Sequence, residues 1–404
     1  MQMRYFRNFI LHLKNFVNDL RTILKGNIGV LFITWLLLNF GHSVVMRFNG
    51  IYFSALGASD LILGFMGALT FGMMALLQIP GGYLADAYGR RKMIVIFTTV
   101  MAFSTLIFAV APSWQWIILG LIISNVALLY QPALFSIMMD SLPENRRAEG
   151  FAITNISMIP AIFGPIIGGF LIYRYGVVPG MRVGYFALFA LSLVSAIIRF
   201  KLKETMKVKK EHRKRFLESF KVLGKIKSRA KGLLIVNMLL SSAGGMIGYF
   251  IVKYSYTYTS PLIYGIAMGL ITIIVVVVGI PVGKKADILG KEKFFTLGIF
   301  LAALSIFIFI IPSTIALFTY AILTGSAQAI MQPSSNGLIA DYVGIENRGR
   351  YTGVFLFLSY IAAMIFSAIG GYVYHIEPAV LFILSGALYL MAGAVAIFVF
   401  IKFK

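Results

Sequence analysis

The chain has 404 residues, of which 59% are hydrophobic and 12% charged, and its 36 Lys and Arg against 14 Asp and Glu give a net charge of +22. Soluble domains carry about 25% charged residues, so this composition excludes an ordinary soluble protein. The apolar residues are sufficient for about twelve membrane helices of about 20 residues each. Because the sequence has no cysteine, disulfides and thiolate metal sites are excluded, and we expect neither a metal nor a cofactor.

A basic leader precedes the first apolar run. Its apolar residues recur at intervals of three and four, and basic residues lie on the opposite side of the helix that they would form. This pattern predicts that residues 1–27 form an amphipathic helix on the anionic headgroups of the membrane surface. A solvated basic leader is the alternative.

Apolar runs of helical length follow the leader and are separated by short polar turns. They are apolar on all sides, with small residues interspersed, as is typical of helices that pack against each other in lipid. We therefore predict an all-α polytopic membrane protein with twelve transmembrane helices. The predicted spans are 28–54, 60–84, 92–112, 115–139, 150–173, 181–199, 232–257, 262–283, 293–311, 313–340, 350–374 and 378–401.

The basic residues are distributed unevenly between the two ends of these spans. All but four of the 36 lie in the leader, in alternate loops or at the C-terminus, the exceptions being Arg47, Arg174, Arg182 and Lys253. The positive-inside rule then places both termini and the basic 201–231 loop in the cytoplasm of a multi-pass cell-membrane protein. We expect that loop to bind anionic lipid headgroups, with nucleic acid or a partner as the alternative. For the chain as a whole we expect no nucleic-acid binding, because that needs a basic face on a soluble domain.

The sequence repeats itself at a spacing of 201 residues, which is half the chain. The matched positions are Gly82 with Gly283, Asp86 with Asp287, Gly89 with Gly290, Arg90 with Lys291 and Asp140 with Asp341; with a slip of a residue or two, the segment at Arg147 matches that at Arg350. A repeat of this length predicts two pseudo-symmetric six-helix bundles. We expect them at 28–200 and 232–404, joined by the 201–231 linker.

The segment GGYLADAYGRRK resembles the loop between helices 2 and 3 of the major facilitator superfamily, and the resemblance extends over about residues 28–401. It implies a secondary transporter that works by alternating access. It further implies a charge relay formed by Asp86, Arg90 and Asp140 and repeated as Asp287, Lys291 and Asp341. Together with the glycines and arginines of the repeat, this relay would hold the two halves shut on the cytoplasmic side. The alternative is that these charges only anchor helix ends at the interface.

This sequence departs from the family pattern at two places. Ala87 and Ile288 stand where a basic residue is expected, and Gly120 stands where the family's drug antiporters often carry an arginine. Helix 5, in contrast, contains GPIIGG, with Gly164, Pro165, Gly168 and Gly169, which resembles the helix 5 motif of the family's antiporters and favours export. Simple tight packing of a thin helix is the alternative interpretation.

Several polar residues inside the predicted spans are candidates for substrate binding or coupling. Arg47 is the strongest, because an ionisable group in the membrane is costly to bury; it shares a face of helix 1 with Asn39 and His42, and snorkelling to the interface is its alternative. Lys253 is either a basic partner of Arg47 or part of an interfacial aromatic belt. Gln328, Gln332 and Asn336 form a stripe on helix 10 that faces either the cavity or a neighbouring helix.

These observations predict a transporter and not an enzyme. Export of small lipophilic or drug-like molecules is the first hypothesis, with protons as a coupling ion only if His42 substitutes for the missing intramembrane carboxylate. The second hypothesis is transport of a small organic anion, an organophosphate or a carboxylate, by means of Arg47. A polytopic membrane enzyme or a sensor is the hypothesis from another class, although no cluster of His, Asp and Glu supports it. We expect a monomer.

Overall fold

The computed structural model describes residues 24–142, 156–205, 220 and 222–401. Within this part of the chain, twelve helices are long and apolar enough to cross a membrane, as predicted. Ten of them are single helices: α1 Gly26–Met46, α2 Asp60–Tyr88, α3 Arg90–Val110, α6 Val177–Arg199, α7 Ser228–Ile247, α8 Pro261–Leu289, α9 Lys291–Phe309, α10 Thr314–Tyr342, α11 Ile345–Ile376 and α12 Pro378–Ala396. The other two spans, Trp114–Ser141 and Ile156–Tyr175, consist of α4 Trp114–Ala127 and α5 Gly164–Tyr175 with the adjoining segments given below.

Shorter segments extend or interrupt these helices. After α4 the chain makes a 3-10 turn, Leu128–Tyr130, and resumes as a helix, Gln131–Ser141. A 3-10 segment, Ile156–Ile162, leads into α5. The remaining segments are the short helices Asn49–Ala55, Val222–Lys225 and Phe250–Ser255 and the π-helical turn Ile397–Ile401. Residues 1–23 of the leader and residues 206–219 and 221 of the linker lie outside the described residues, and so do the predictions of an amphipathic helix and of lipid binding made for them.

The spans predicted as continuous at 28–54 and 232–257 are each broken in the structure. The first ends at Met46 and resumes at Asn49, and the second ends at Ile247 and resumes at Phe250, so the two breaks are themselves 201 residues apart. Apolar composition predicts the span but not the break, because both sides of each break are equally apolar.

Helix ends follow the same repeat. The hydroxyl oxygens of Ser59 and Ser260 accept hydrogen bonds from the backbone N–H groups of Ile62 and Ile263, at 3.4 and 3.3 Å, which satisfies the first turns of α2 and α8. Gly89 and Gly290 have φ angles of 88° and 109°. This left-handed conformation favours glycine and lets each helix turn directly into the next.

The two halves meet tightly at one end of the helices. A Cβ placed on Gly64 of α2 would lie 2.6 Å from the Cα of Gly371 on α11, and one on Gly50 would lie 2.0 Å from the carbonyl oxygen of Tyr249. We call this end the closed face. The other end carries Arg90, Lys291 and their neighbours, and we call it the basic face.

Candidate substrate cavity

A cavity of about 740 Å³ lies between the two halves. Its walls come from α1, α2 and α4 of the first half and from α11 of the second, and its lining extends to Ser136 and Gly349 near the basic ends of α4 and α11. A Cβ placed on Gly349 or Gly353 would meet no atom within 4 Å. The halves are therefore apart at the basic face and packed together at the closed face.

The cavity wall is mostly apolar and aromatic, with few polar groups. Its larger side chains are those of Trp35, Met74, Leu77, Phe135 and Tyr360. The amides of Asn125 and Gln131 also line it, although the Asn125 Nδ2 donates to the Leu121 carbonyl at 2.8 Å. None of the lining residues in the described part of the chain is ionised at neutral pH. Such a wall suits a lipophilic molecule with few polar groups.

A second cavity, of about 400 Å³, lies in the second half between α7, α9 and α10. The predicted stripe of Gln328, Gln332 and Asn336 lines it, and all three side chains are exposed. Asn237 of α7 lies on the same wall and donates from Nδ2 to the Leu233 carbonyl at 3.0 Å. The structure thus brings the three predicted amides together on one accessible surface.

The candidates on helix 1 lie elsewhere. Asn39 donates from Nδ2 to the Ser157 hydroxyl at 3.3 Å, and a ring nitrogen of His42 is 2.9 Å from the Leu38 carbonyl oxygen. Arg47 lies in the break after α1, is exposed, and has no ion pair among the described residues. It is close enough to Tyr264 and Tyr320 of the second half to interact with both electrostatically. None of these three candidates lines either of the two cavities.

Lys253 has a partner that the sequence analysis did not predict. Its Nζ forms an ion pair with Asp60, at the start of α2, and lies 5.4 Å from the centre of the Tyr374 ring. His375 Nδ1 is 3.8 Å from the second oxygen of Asp60. Lys253 and His375 belong to the second half and Asp60 to the first, so this group of charges joins the halves at the closed face. Lys253 is not paired with Arg47, nor is it only part of an aromatic belt.

The glycines of GPIIGG lie at close helix approaches. A Cβ on Gly164 would lie 1.8 Å from the Ser43 hydroxyl, and one on Gly168 would lie 2.0 Å from the Val44 carbonyl oxygen, both on α1. Gly169 faces α8, where its Cβ would be 2.4 Å from the Pro261 carbonyl oxygen. A Cβ on Gly265 of α8 would in turn lie 2.2 Å from the carbonyl oxygen of Pro165. The motif therefore packs α5 against its own half and against the other half.

The charge pairs of the repeat are present in both halves. Arg90 pairs with Asp140, and Lys291 Nζ pairs with Asp341 at 2.8 Å. Each pair joins two helices of one half. Asp86 and Gly82 lie in α2, and Asp287 and Gly283 in α8, but their side-chain positions, like the whole of Arg147, are outside the described residues. Arg350 is exposed on α11 at the basic face.

Arg199 ends the sixth predicted span beside the basic linker, where a basic residue is expected to reach the headgroups. Its side chain is instead 0% exposed and lies inside the first half. Position at a helix end gives the side of the membrane and not the depth of a side chain, since a long side chain can fold back along the helix.

Comparison with known proteins agrees with this architecture. The family model for the Major Facilitator Superfamily matches residues 30–259 and 233–403. A transporter of Methanocaldococcus jannaschii described as MFS-type is 26% identical over 82% of this chain and 87% of its own length. The multi-drug resistance efflux pump PmrA of Streptococcus pneumoniae strain TIGR4 is 21% identical over 86% of this chain and 90% of its own length.

Among solved structures, that of the nucleoside transporter NupG superposes with a TM-score of 0.75 and 15% identity, covering 93% of this chain and all of its own. At this identity the likeness shows the fold alone. The match of the family model to nearly the whole chain, on twelve helices in two repeated halves, shows that the protein belongs to the major facilitator superfamily, a family of membrane transporters and not of enzymes.

Proposed function

We propose that the protein exports small lipophilic molecules by alternating access and that the structure is its inward-open state. The observation that carries this proposal is the cavity of about 740 Å³ between the halves, open at the basic face and closed at the other. By the positive-inside rule the basic face is cytoplasmic. The cavity would then receive its substrate from the cytoplasm or from the inner leaflet.

The lining favours lipophilic cargo. Large apolar and aromatic side chains remove apolar surface of the substrate from water, which is the main driving force for binding such molecules. The amides of Gln328, Gln332 and Asn336 on α10 line the second cavity, and we propose that they offer hydrogen bonds to the substrate from the second half during transport. The relative in Streptococcus pneumoniae, named as a multi-drug resistance efflux pump, supports the same class of cargo.

The charged residues and glycines at the two faces of the protein act in the conformational change. The Asp60–Lys253 pair and the glycine contacts of α2, α5, α8 and α11 hold the outer side shut in this state and separate when the protein opens outward. Asp86, Arg90, Asp140, Asp287, Lys291 and Asp341 lie at the basic ends of the helices, where the halves must approach each other in the opposite state. Alternating access of this kind rocks two repeats about a site near the bilayer midplane.

Proteoliposomes test the proposal directly. We expect the reconstituted protein to move a neutral lipophilic dye faster than protein-free liposomes, with the rate measured with and without a pH gradient. Replacing Gln332 and Asn336 together by Ala should lower the rate about tenfold, because two polar contacts of about 0.7 kcal/mol each are lost. Thr319→Ala is the matched control on α10, since its hydroxyl is bonded within the helix to Ile315 at 2.9 Å. Dye movement no faster than in protein-free liposomes would contradict lipophile export.

Arg47 favours a second candidate, transport of a small organic anion. It is exposed, lacks an ion pair in the described residues and interacts electrostatically with Tyr264 and Tyr320 of the other half. In this case radiolabelled organophosphate or carboxylate should exchange across the membrane without a pH gradient, and Arg47→Gln should abolish the exchange. Arg174→Gln, which removes an exposed arginine from the end of α5, is the control. Exchange that persists in Arg47→Gln would contradict the role of Arg47.

A further inference from the structure

Arg199 is a fully buried arginine without a carboxylate partner in the described part of the chain. It lies in the last turn of α6, and its side chain is 0% exposed. Nε donates to the Thr34 hydroxyl at 3.2 Å, Nη1 donates to the Thr98 hydroxyl, and the guanidinium lies 5.2 Å from the centre of the Tyr130 ring. The buried Nη2 has no hydrogen-bond partner among the described residues.

The two hydroxyls around Arg199 are oriented to accept. Thr34 donates its own proton to the Leu31 carbonyl and Thr98 donates to the Ile94 carbonyl, both within their helices. Their lone pairs are therefore free for the guanidinium. Two neutral acceptors and an aromatic face stabilise the charge but do not neutralise it, so a net positive charge remains inside the first half.

The fold itself does not require a charge at this place. The last helices of the two halves, α6 and α12, begin 201 residues apart at Val177 and Pro378. Counted from these starts, the residue that matches Arg199 is Phe400, which is 2% exposed and packs against the rings of Phe295 and Tyr342. The counterpart of Thr98 is Ile299, which is 0% exposed. The second half thus fills the equivalent region with apolar side chains. Because an unpaired buried charge is costly, its retention in the first half indicates a function.

Tyr130 connects Arg199 to the cavity. Tyr130 and Gln131 both line the cavity of about 740 Å³, and Trp35, next to Thr34, lines it as well. Tyr130 lies in the 3-10 turn Leu128–Tyr130, and it both belongs to the cavity wall and has the guanidinium over its ring. No acidic residue lines this cavity in the described part of the chain. In a medium of low dielectric constant, the field of one charge extends across a single ring.

We infer that Arg199 makes the cavity wall at Tyr130 and Gln131 electropositive, so that the transporter selects amphipathic anions over cations of the same shape. The substrate class is an apolar body that carries a carboxylate, sulfonate or phosphate. Arg199 acts through Tyr130 and does not touch the substrate, which makes it a residue that determines specificity. This inference rests on the proposed function, since it specifies the charge of the cargo of that cavity.

The absence of cysteine from the chain allows the potential at the wall to be measured without a known substrate. Gln131→Cys places a single thiol in the cavity, and Ser335→Cys places one in the second cavity as a matched control. Each thiol is reacted with an anionic reagent, sulfonatoethyl methanethiosulfonate, and with a cationic one, trimethylammonioethyl methanethiosulfonate. The anionic preference of a thiol is the rate with the first reagent divided by the rate with the second. After normalisation to a free thiol, we expect the anionic preference at position 131 to exceed that at 335 about tenfold.

Variants at Arg199 assign the potential to its charge. Arg199→Gln should remove most of the preference at position 131 and leave position 335 unchanged, whereas Arg199→Lys should retain it. Equal ratios at the two thiols in the otherwise unchanged chain would overturn the inference, and that comparison does not depend on the folding of any Arg199 variant. A preference that persists in folded Arg199→Gln would overturn it as well.

Transport of two xanthene dyes separates this inference from the proposed function. We expect proteoliposomes to move anionic carboxyfluorescein about tenfold faster than cationic rhodamine 6G, and Arg199→Gln to bring the rates together. If both dyes moved at the same rate, lipophile export would stand and the charge selection would be overturned. If no dye of any charge moved, the proposed function would be overturned, while an anionic preference of the thiol at position 131 would still support a positive wall.

Discussion

The two halves of the protein share the positions where helices begin, break and turn, and they differ in where charge is placed. The breaks after Met46 and Ile247, the capping Ser59 and Ser260, and the turns at Gly89 and Gly290 are all 201 residues apart. These shared features set the framework of each half. Two equal frameworks can rock against each other, which is what alternating access requires.

The differences lie around the cavity and the closed face. In the first half α4 is interrupted by the turn Leu128–Tyr130, whereas in the second half α10 runs unbroken over Thr314–Tyr342. Arg199 is matched by Phe400 and Asp60 by Pro261, so the first half has a buried charge and an outer carboxylate that the second lacks. The comparison teaches that the repeat fixes the positions of helix ends and turns, and that the departures from it lie at the cavity and the closed face, where we propose specificity and gating.

The largest effect is expected at the crossing of α2 and α11. A Cβ on Gly371 would lie 2.7 Å from the Asp60 carbonyl oxygen and 2.8 Å from the Gly64 Cα. We expect Gly371→Val to keep the closed face from closing, to destabilise the protein by about 1–3 kcal/mol, and to lower transport by about a hundredfold. Thermal unfolding and dye transport in proteoliposomes measure these changes.

Gly353→Val, on the same helix, is the matched control for stability. It lies where the halves are apart, with open space around it, so thermal stability should stay unchanged. Transport should still fall, since α11 must approach the first half at the basic face in the outward-open state. Gly371→Val with unaltered stability would contradict the packing described for the closed face.

An intermediate effect is expected for the ion pair that joins the halves. Asp60→Asn leaves Lys253, whose side chain is only 28% exposed, without a carboxylate in apolar surroundings. We expect a loss of about 1–2 kcal/mol, between the values for exposed and buried pairs, and greater access of thiol reagents to the closed face. Thermal unfolding and labelling of Ser367→Cys, a conservative exchange at the buried contact of α11 with the Gly64 carbonyl, measure the two changes.

The exchanged pair, Asp60→Lys with Lys253→Asp, is the control for this prediction. It restores the ion pair with opposite polarity and should recover at least about half of the lost stability, because the attraction of the two charges does not depend on their order. A double variant that is less stable than Asp60→Asn would show that the pairing is not what holds this face.

The smallest effect is expected for the two charge pairs inside the halves. The carboxylate side chains of Asp140 and Asp341 are 43% and 49% exposed, so solvent screens their interaction with Arg90 and Lys291. Asp140→Asn and Asp341→Asn should each destabilise the protein by about 0.5 kcal/mol, as measured by thermal unfolding in lipid nanodiscs. Losses that differ by more than about 1 kcal/mol would break the equivalence of the two halves.

The sequence predicted the fold well because hydropathy and the repeat are both properties of whole segments. Twelve spans follow from twelve apolar runs, and the partners Arg90 with Asp140 and Lys291 with Asp341 follow from the duplicated spacing and the family resemblance. The stripe of three amides on α10 also follows from helical periodicity, since residues four apart share a face.

The sequence could not predict which residues from distant segments meet. Asp60 and Lys253 each lie at a span end, and only the packing of α2 beside the segment after α7 pairs them. Arg199 ends a predicted span beside a basic linker, so its burial depends on whether the side chain turns toward α1, α3 and α4 or toward the headgroups. The sequence did contain one indication of this burial, the aromatic residue Phe400 at the matching position of the second half. An arginine in place of a packed aromatic residue suggests that the arginine itself lies in the interior.

Distances between matched positions of the two halves test the central claim, alternating access, most directly. Spin labels at Lys92→Cys with Lys293→Cys report the basic face, and labels at Ser113→Cys with Thr314→Cys report the closed face. In pulsed electron resonance on nanodiscs, Gly353→Val should keep the labels at the basic face far apart and those at the closed face close together. Gly371→Val should bring the labels at the basic face together and move those at the closed face apart. Two distances that stay fixed in both variants, or that lengthen and shorten together, would contradict alternating access.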